Sequence, residues 1–159
     1  MNNIFLLLGS NLGNRKQFLK QAVEQIEAEI APLICVSSIY ETQSWGKADE
    51  PDYLNQVLEL ESELTAPEVL QKILTIENLL GRTRQEKWGS RIIDIDILFY
   101  GDAIIDAPDL KVPHPELHKR RFTLEPLAEI APDFVHPLLN KNILQLKNEL
   151  NDSLVVKKV

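Results

Sequence analysis

Glycine, cysteine, methionine and aromatic side chains are all scarce in this chain. Its 159 residues hold six glycines, one cysteine, one methionine and 6% aromatics. So little glycine, with no repeat and no Gly/Ser-rich stretch, excludes collagen-like and low-complexity architectures. A single cysteine, Cys35, rules out an intrachain disulfide, and its apolar strand-like surroundings predict a buried, inert thiol. No stretch approaches the ~20 consecutive apolar residues of a spanning helix. The start, Met1-Asn2-Asn3, has no basic segment, and its apolar run from Ile4 to Leu8 is too short for a signal peptide. The expectation is therefore a cytoplasmic protein without membrane contact. Basic charge is also in deficit. Seventeen Lys and Arg stand against 24 Asp and Glu, a net −7, which disfavours nucleic acid as a partner. The P-loop pattern is missing, as are catalytic-cysteine, zinc-ligand and protein-kinase signatures. Gly9-Ser10-Asn11-Leu12-Gly13 lacks the spacing of a dinucleotide-binding turn, and reads as a turn with a helix cap.

What is present is an ordinary globular composition, 44% apolar and 26% charged. A chain of this length buries roughly 70% of the surface it would expose unfolded, so one domain spanning 1–159 is expected. Asn3 to Leu8 reads as a buried strand. Asn14 caps a helix to about Ala28 that turns Phe18, Ala22 and Ile26 to one side. Leu33 to Tyr40 reads as a second strand, 41–52 as a loop and Tyr53 to Leu60 as a third strand. In that strand Leu54, Val57 and Leu58 require a bulge or burial on both faces. Thr65 and Glu68 have capping-box spacing and open a helix to Leu80, with Gly81 as its stop. Ile92 to Tyr100 reads as a strand, Gly101-Asp102 as a hairpin turn and Ala103 to Ile105 as its return. Six of the nine prolines fall between 108 and 137, predicting loops around a short helix from Phe122 to Ile130. Ile143 to Leu150 reads as helical, and Leu154 to Val159 as an edge strand or a loose tail. Strand–helix–strand twice over predicts an α+β, ferredoxin-like (split βαβ) sheet with helices packed on it and extra C-terminal elements.

Arg91-Ile92-Ile93-Asp94-Ile95-Asp96-Ile97-Leu98 is the most informative segment. Alternation along a strand puts Ile93, Ile95 and Ile97 on one face, and Asp94 and Asp96 on the other, roughly 6.5–7 Å apart. Two carboxylates that close repel unless a cation bridges them. Oxygen ligands of this kind suit Mg²⁺, which completes its octahedron with water and substrate phosphates. The alternative is a solvated polar strand face, although Asp is disfavoured in strands. Just upstream, Arg82, Arg84, Lys87 and Arg91 fall within ten residues against the single acid Glu86. Guanidinium forks match phosphate oxygens, so a basic loop beside a carboxylate pair favours a metal–polyphosphate site over surface ion pairs. A second basic group, His118-Lys119-Arg120-Arg121, follows His114, which is held between Pro113 and Pro115. His114 suits either a phosphate or a backbone carbonyl. Trp45, Tyr53, Trp88 and Phe122 lie in or beside loops, where they either stack on a flat heterocycle or cap the core. Asn55 shares a strand face with Tyr53, and its amide carries both donor and acceptor for a heterocycle edge.

Taken together, these segments resemble the 6-hydroxymethyl-7,8-dihydropterin pyrophosphokinase family. The resemblance runs through Gly9-Ser10-Asn11-Leu12-Gly13, Ser38-Ile39-Tyr40-Glu41-Thr42, Pro51-Asp52-Tyr53-Leu54-Asn55 and Gly81-Arg82-Thr83-Arg84. It continues in Trp88-Gly89-Ser90-Arg91, Asp94-Ile95-Asp96-Ile97-Leu98, Val112-Pro113-His114-Pro115, Arg120-Arg121-Phe122 and Pro126-Leu127-Ala128-Glu129-Ile130-Ala131-Pro132. The resemblance implies transfer of pyrophosphate from ATP to the pterin alcohol, releasing AMP, in folate biosynthesis. It implies Arg82, Arg91, Asp94 and Asp96 as catalytic residues, with two Mg²⁺ ions on Asp94 and Asp96. Glu77, Arg84, the Ile97 backbone, His114 and Arg120 fall on the ATP side; Thr42, Trp45, Tyr53, Asn55, Trp88 and Phe122 surround the pterin. Gln43-Ser44, Lys87 and Ser90 depart from the family's usual residues and leave the carboxylates untouched. ATP and hydroxymethyldihydropterin are then the expected partners of a monomer. The competing readings are a non-catalytic ferredoxin-like nucleotide-binding module and a metal-dependent phosphohydrolase.

Overall fold

A computed structural model of the chain describes residues 2–42, 52–81, 92–151 and 154–159. The apolar run near the start becomes β1 (Asn2–Ser10), buried from Ile4 onward. Asn14 then caps α1 (Arg15–Glu29), its side chain accepting from the Gln17 N–H, and Leu19, Ala22 and Ile26 form the buried stripe. Phe18, expected on that stripe, is only half-buried.

The single strand expected over 33–40 is two, β2 (Leu33–Val36) and β3 (Tyr40–Thr42), both paired with β4 (Tyr53–Ser62). Ser37 causes the break. Its hydroxyl accepts the Val57 N–H at 2.9 Å, a bond that a backbone carbonyl would take in an unbroken ladder. The strand thus begins again at Tyr40, the last residue of the expected strand, and runs on through Glu41 and Thr42, which read as loop in the sequence. Cys35, on β2, is partly exposed rather than buried.

The expected capping box opens α2 (Ala66–Gly81): the Thr65 N–H donates to Glu68, and the Glu68 N–H to Thr65 Oγ1. Gly81 is the last residue of that helix, and its role as a stop falls outside the described residues. β5 (Asp94–Tyr100) follows. The hairpin lies further along than expected. β6 (Ile105–Ala107) pairs with β7 (Leu110–Val112) around Pro108-Asp109, the stronger turn signal, rather than folding back on β5. A 3₁₀ turn (Leu117–Lys119) leads into α3 (Arg121–Ile130), which contains Pro126. α4 (Ile143–Asn148) and β8 (Val156–Lys158) complete the order, β8 as an edge strand on β3.

The main sheet runs β5-β1-β4-β3-β8, with β2 also on β4, and every pairing in it is antiparallel. It separates two cores. On one face Ile4, Leu6, Leu8, Leu54, Leu58, Ile93, Ile95 and Ile97 pack against Leu19, Ala22 and Ile26 of α1 and Val69, Ile73 and Ile76 of α2. On the other, Phe5, Leu7, Val57, Leu98 and Phe99 pack against α3 and α4. β4 is therefore buried on both faces, which answers its run of adjacent apolar residues. Leu98 and Phe99 reach the same core because a register shift opposite Phe5/Leu6 inserts an extra residue in β5. Among the described residues no helix is long and apolar enough to cross a membrane.

Candidate functional site

The site is a row of residues crossing the sheet. Gly9 of β1 stands opposite Asp94 of β5 on one side and Asn55 of β4 on the other. Tyr40 of β3 faces Asn55, and Lys158 of β8 faces Tyr40. Residues directly opposite share a sheet face. Here it is the α3 face, because Phe5 and Leu7, four and two residues before Gly9, enter that core. Asp96, opposite Leu7, joins Asp94 on it, while Ile93, Ile95 and Ile97 go into the other core, as alternation predicts. Both carboxylates are partly buried. Among the described residues no group of three or more His, Cys, Asp or Glu is arranged to hold a metal ion by itself. A carboxylate pair at a sheet margin fits Mg²⁺, which binds through one or two carboxylates plus substrate oxygens, and does not amount to an all-protein cage.

β5 is the outermost strand on its side, so its outer edge presents unpaired backbone groups. Two of them are met locally. The Ile95 N–H donates to Glu77 Oε2 at 2.8 Å, and the Leu98 carbonyl accepts from the His114 N–H at 3.0 Å. Glu77 thus reaches round from α2 to the strand that carries the two acids. Ile97 sends its side chain into the α1/α2 core, leaving only its backbone at this edge.

His114 Nδ1 accepts from the Glu116 N–H at 3.1 Å, which assigns the ring proton to Nε2. Burial, then the nearby Arg120 cation, push its pKa below the usual 6.5, against the opposing pull of Glu116 and Asp94. A neutral imidazole donating from Nε2 beside Asp94 follows. Arg120 precedes α3, and its guanidinium lies 5.5 Å from the centroid of the Phe122 ring.

Asn55 is 5% exposed; its Nδ2 donates to the Leu8 carbonyl at 3.2 Å. Its Oδ1 is buried and meets no partner among the described residues, and the same holds for Oγ1 of Thr42, a diagonal neighbour across the β3–β4 pair. A buried polar atom left unmade costs about 1–3 kcal/mol, so two side by side on one surface mark a place for a polar ligand. Tyr53, opposite Thr42, lies on this same face, partly buried. Phe122, partly buried, closes against the α3 core.

The structure therefore brings Asp94, Asp96, His114, Arg120, Asn55, Thr42, Tyr53 and Phe122 to the α3 side of the sheet, with Glu77 and the Ile97 backbone at its margin. Trp45, Arg82, Arg84, Trp88 and Arg91 lie outside the described residues, as do Gln43-Ser44, Lys87 and Ser90. Sequence reasoning missed two features. One is Gly9, read there only as part of a turn. The other is a clasp on Glu129 of α3, whose carboxylate accepts from Tyr40 Oη at 2.6 Å and from the N–H and hydroxyl of Ser38. A lone acid inside the apolar stretch Pro126-Leu127-Ala128-Glu129-Ile130 was the signal for it. Burial, and then the bond to Glu129, raise the Tyr40 pKa, keeping the phenol protonated.

Comparison with known proteins gives a consistent picture. The family model described as 7,8-dihydro-6-hydroxymethylpterin-pyrophosphokinase matches residues 5–132. A 2-amino-4-hydroxy-6-hydroxymethyldihydropteridine pyrophosphokinase of Aquifex aeolicus is 42% identical over 149 residues, 94% of this chain and 92% of that one. The Bacillus subtilis protein of the same name is 45% identical over 133 residues, 82% of this chain and 80% of its own. Among solved structures, a Plasmodium falciparum HPPK-DHPS chain superposes with a TM-score of 0.74 at 18% identity, over 94% of this chain. This chain spans 43% of that longer one, and at such identity the likeness speaks for the fold alone.

Proposed function

Since the chain belongs to the 7,8-dihydro-6-hydroxymethylpterin-pyrophosphokinase family, we propose that it transfers pyrophosphate from ATP to 6-hydroxymethyl-7,8-dihydropterin, giving AMP and the pterin diphosphate for folate biosynthesis. The observation that carries the assignment to particular residues is the row Asp94–Gly9–Asn55. It sets a carboxylate pair and a buried amide oxygen that meets no partner among the described residues two strands apart on one face.

In this reading Asp94 and Asp96 hold Mg²⁺, two ions in all, and bound there the metal supplies charge neutralisation for the triphosphate. His114 donates Nε2–H to a phosphate oxygen, and Arg120 adds a cation beside it. Arg82, Arg84 and Arg91 take phosphate roles, and Glu77 with the Ile97 backbone lies on the nucleotide side. Asn55 Oδ1 accepts from an N–H of the heterocycle, and Thr42 offers its hydroxyl. Tyr53 and Phe122 give apolar and stacking surface, with Trp45 and Trp88 completing the pocket. Pyrophosphoryl transfer asks for positioning and charge compensation rather than a covalent intermediate, and that is what this set of side chains provides.

The same proposal takes the chain as one ferredoxin-like domain, supported by the antiparallel order β5-β1-β4 with β2 and β3 beyond it and α1 and α2 together on one face. It also takes the enzyme to be cytoplasmic and monomeric. One incubation tests the function. With ATP, Mg²⁺ and hydroxymethyldihydropterin, AMP and the pterin diphosphate appear in equal amounts. Inorganic phosphate in place of AMP would mean a phosphohydrolase, and binding with no product a nucleotide-binding module.

A further inference from the structure

Gly9 occupies the centre of the row, and its backbone does not call for glycine. Among the described glycines only Gly13 and Gly101 have the positive φ that other residues avoid. Within a strand, glycine costs backbone entropy and packs nothing, so alanine would suit β1 better if conformation alone decided. The space above it is what decides. A Cβ on Gly9 would sit 2.9 Å from Asn55 Nδ2, closer than real contacts allow, while Tyr53 Cδ1 and the Leu54 carbonyl oxygen are at ordinary distances of 3.8 and 3.9 Å. The obstacle is therefore one side-chain amide, and the backbone has room.

That amide is fixed. Asn55 is buried, and its Nδ2 is tied to the carbonyl of Leu8, the residue before Gly9. With no side chain at position 9, the carboxamide lies against β1, keeps that bond and leaves Oδ1 unpartnered. A methyl group there displaces the carboxamide and moves Oδ1 with it. Asp94, on the opposite side of Gly9, supplies none of the three atoms nearest to that methyl.

We propose that Gly9 is a positioning residue for pterin recognition: its missing Cβ sets the place of the Asn55 amide, independently of nucleotide and metal binding. The inference rests on the reading of Asn55 as a pterin contact. It predicts a split that a merely structural glycine does not give. Gly9→Ala should raise KM for hydroxymethyldihydropterin by about tenfold or more and leave KM for ATP within about twofold. Its Tm should stay within about 2 °C of the unsubstituted chain. The clash is with one side chain, so its effect disappears when that side chain is gone. In an Asn55→Ala background, adding Gly9→Ala should change the pterin KM by less than about twofold. Steady-state kinetics on the four proteins, with thermal melts of each, read all of this. An unchanged pterin KM in Gly9→Ala, an equal rise in both backgrounds, a parallel rise in the ATP KM, or a Gly9→Ala chain that does not fold would each overturn the role of Gly9. If the unsubstituted chain makes no pterin diphosphate, the reading beneath the inference fails instead.

Discussion

Asp94 and Asp96 leave the core on alternate positions of one strand, so their loss is felt in turnover before stability. Replacing either by alanine removes a partly buried carboxylate and opens no cavity in a packed core. We expect Asp94→Ala and Asp96→Ala each to lower kcat by about 10²–10³-fold or more in chains that still fold, as followed by circular dichroism. Wild-type turnover in either variant, measured at low Mg²⁺, would refute the chelating pair. His136 answers to pH. It is buried, and its Nδ1 accepts from the N–H groups of both Leu138 and Leu139 at 3.1 Å, which only a neutral ring can do. Burial and the neighbouring His118 lower its pKa from 6.5, and His114 is lowered as well. The stability these rings contribute is complete above pH 6.5 and is lost as the pH falls from there through their lowered native values. Melting curves between pH 8 and 5 should show that decline. His136→Gln should flatten it and cost about 1–3 kcal/mol at pH 8; an unaltered slope would mean that other groups cause the acid sensitivity. The carboxylate pair was legible in the sequence because strand alternation needs only residue types. The Gly9–Asn55 contact was not, since it joins residues that become neighbours only through pairing.

Elements whose ends are set by their own side chains were the readable ones. Asn14 and the Thr65/Glu68 box begin α1 and α2 where their spacing says they should. The Asn142/Gln145 box, which starts α4, went unread beside a stretch of prolines and loops. Its removal by Asn142→Ala should cost about 1 kcal/mol in urea unfolding. Elements set by partners were misread. The division of β2 from β3 depends on the Ser37 hydroxyl meeting Val57 N–H, a bond between residues twenty apart. β3 is in turn fastened to α3 through Tyr40 and Glu129, which links the strand bearing Thr42 to the helix bearing Phe122. Tyr40→Phe keeps the packing and removes one bond to that partly solvated carboxylate, a loss of about 1 kcal/mol by the same measurement. A loss near zero would mean that Ser38 alone holds the clasp.

Across the whole molecule, the sheet divides the chain's labour. The α1/α2 face is an apolar core with periodicity plain in the sequence, and the α3/α4 face carries both a core and the candidate site. That second face was harder to foresee, because its helices come from a proline-rich region and its core is aromatic. Phe5, Phe99 and Phe134 meet there with ring centroids 4.7–6.0 Å apart. Phe99 is fully buried, so Phe99→Ala should destabilise the fold by about 3–5 kcal/mol, seen as a lower denaturation midpoint with an unchanged m-value. The position of β1 has a consequence for how the protein is made. The strand precedes both of its neighbours, β4 and β5, and they are encoded far downstream of it. Until the ribosome has delivered β4, the run Ile4-Phe5-Leu6-Leu7-Leu8 has no strand to pair with, and such long-range pairing is slow. The segment that becomes the floor of the site is thus also a stretch the nascent chain must keep from wrong partners, and its yield in cells should depend on chaperones more than its finished stability would suggest.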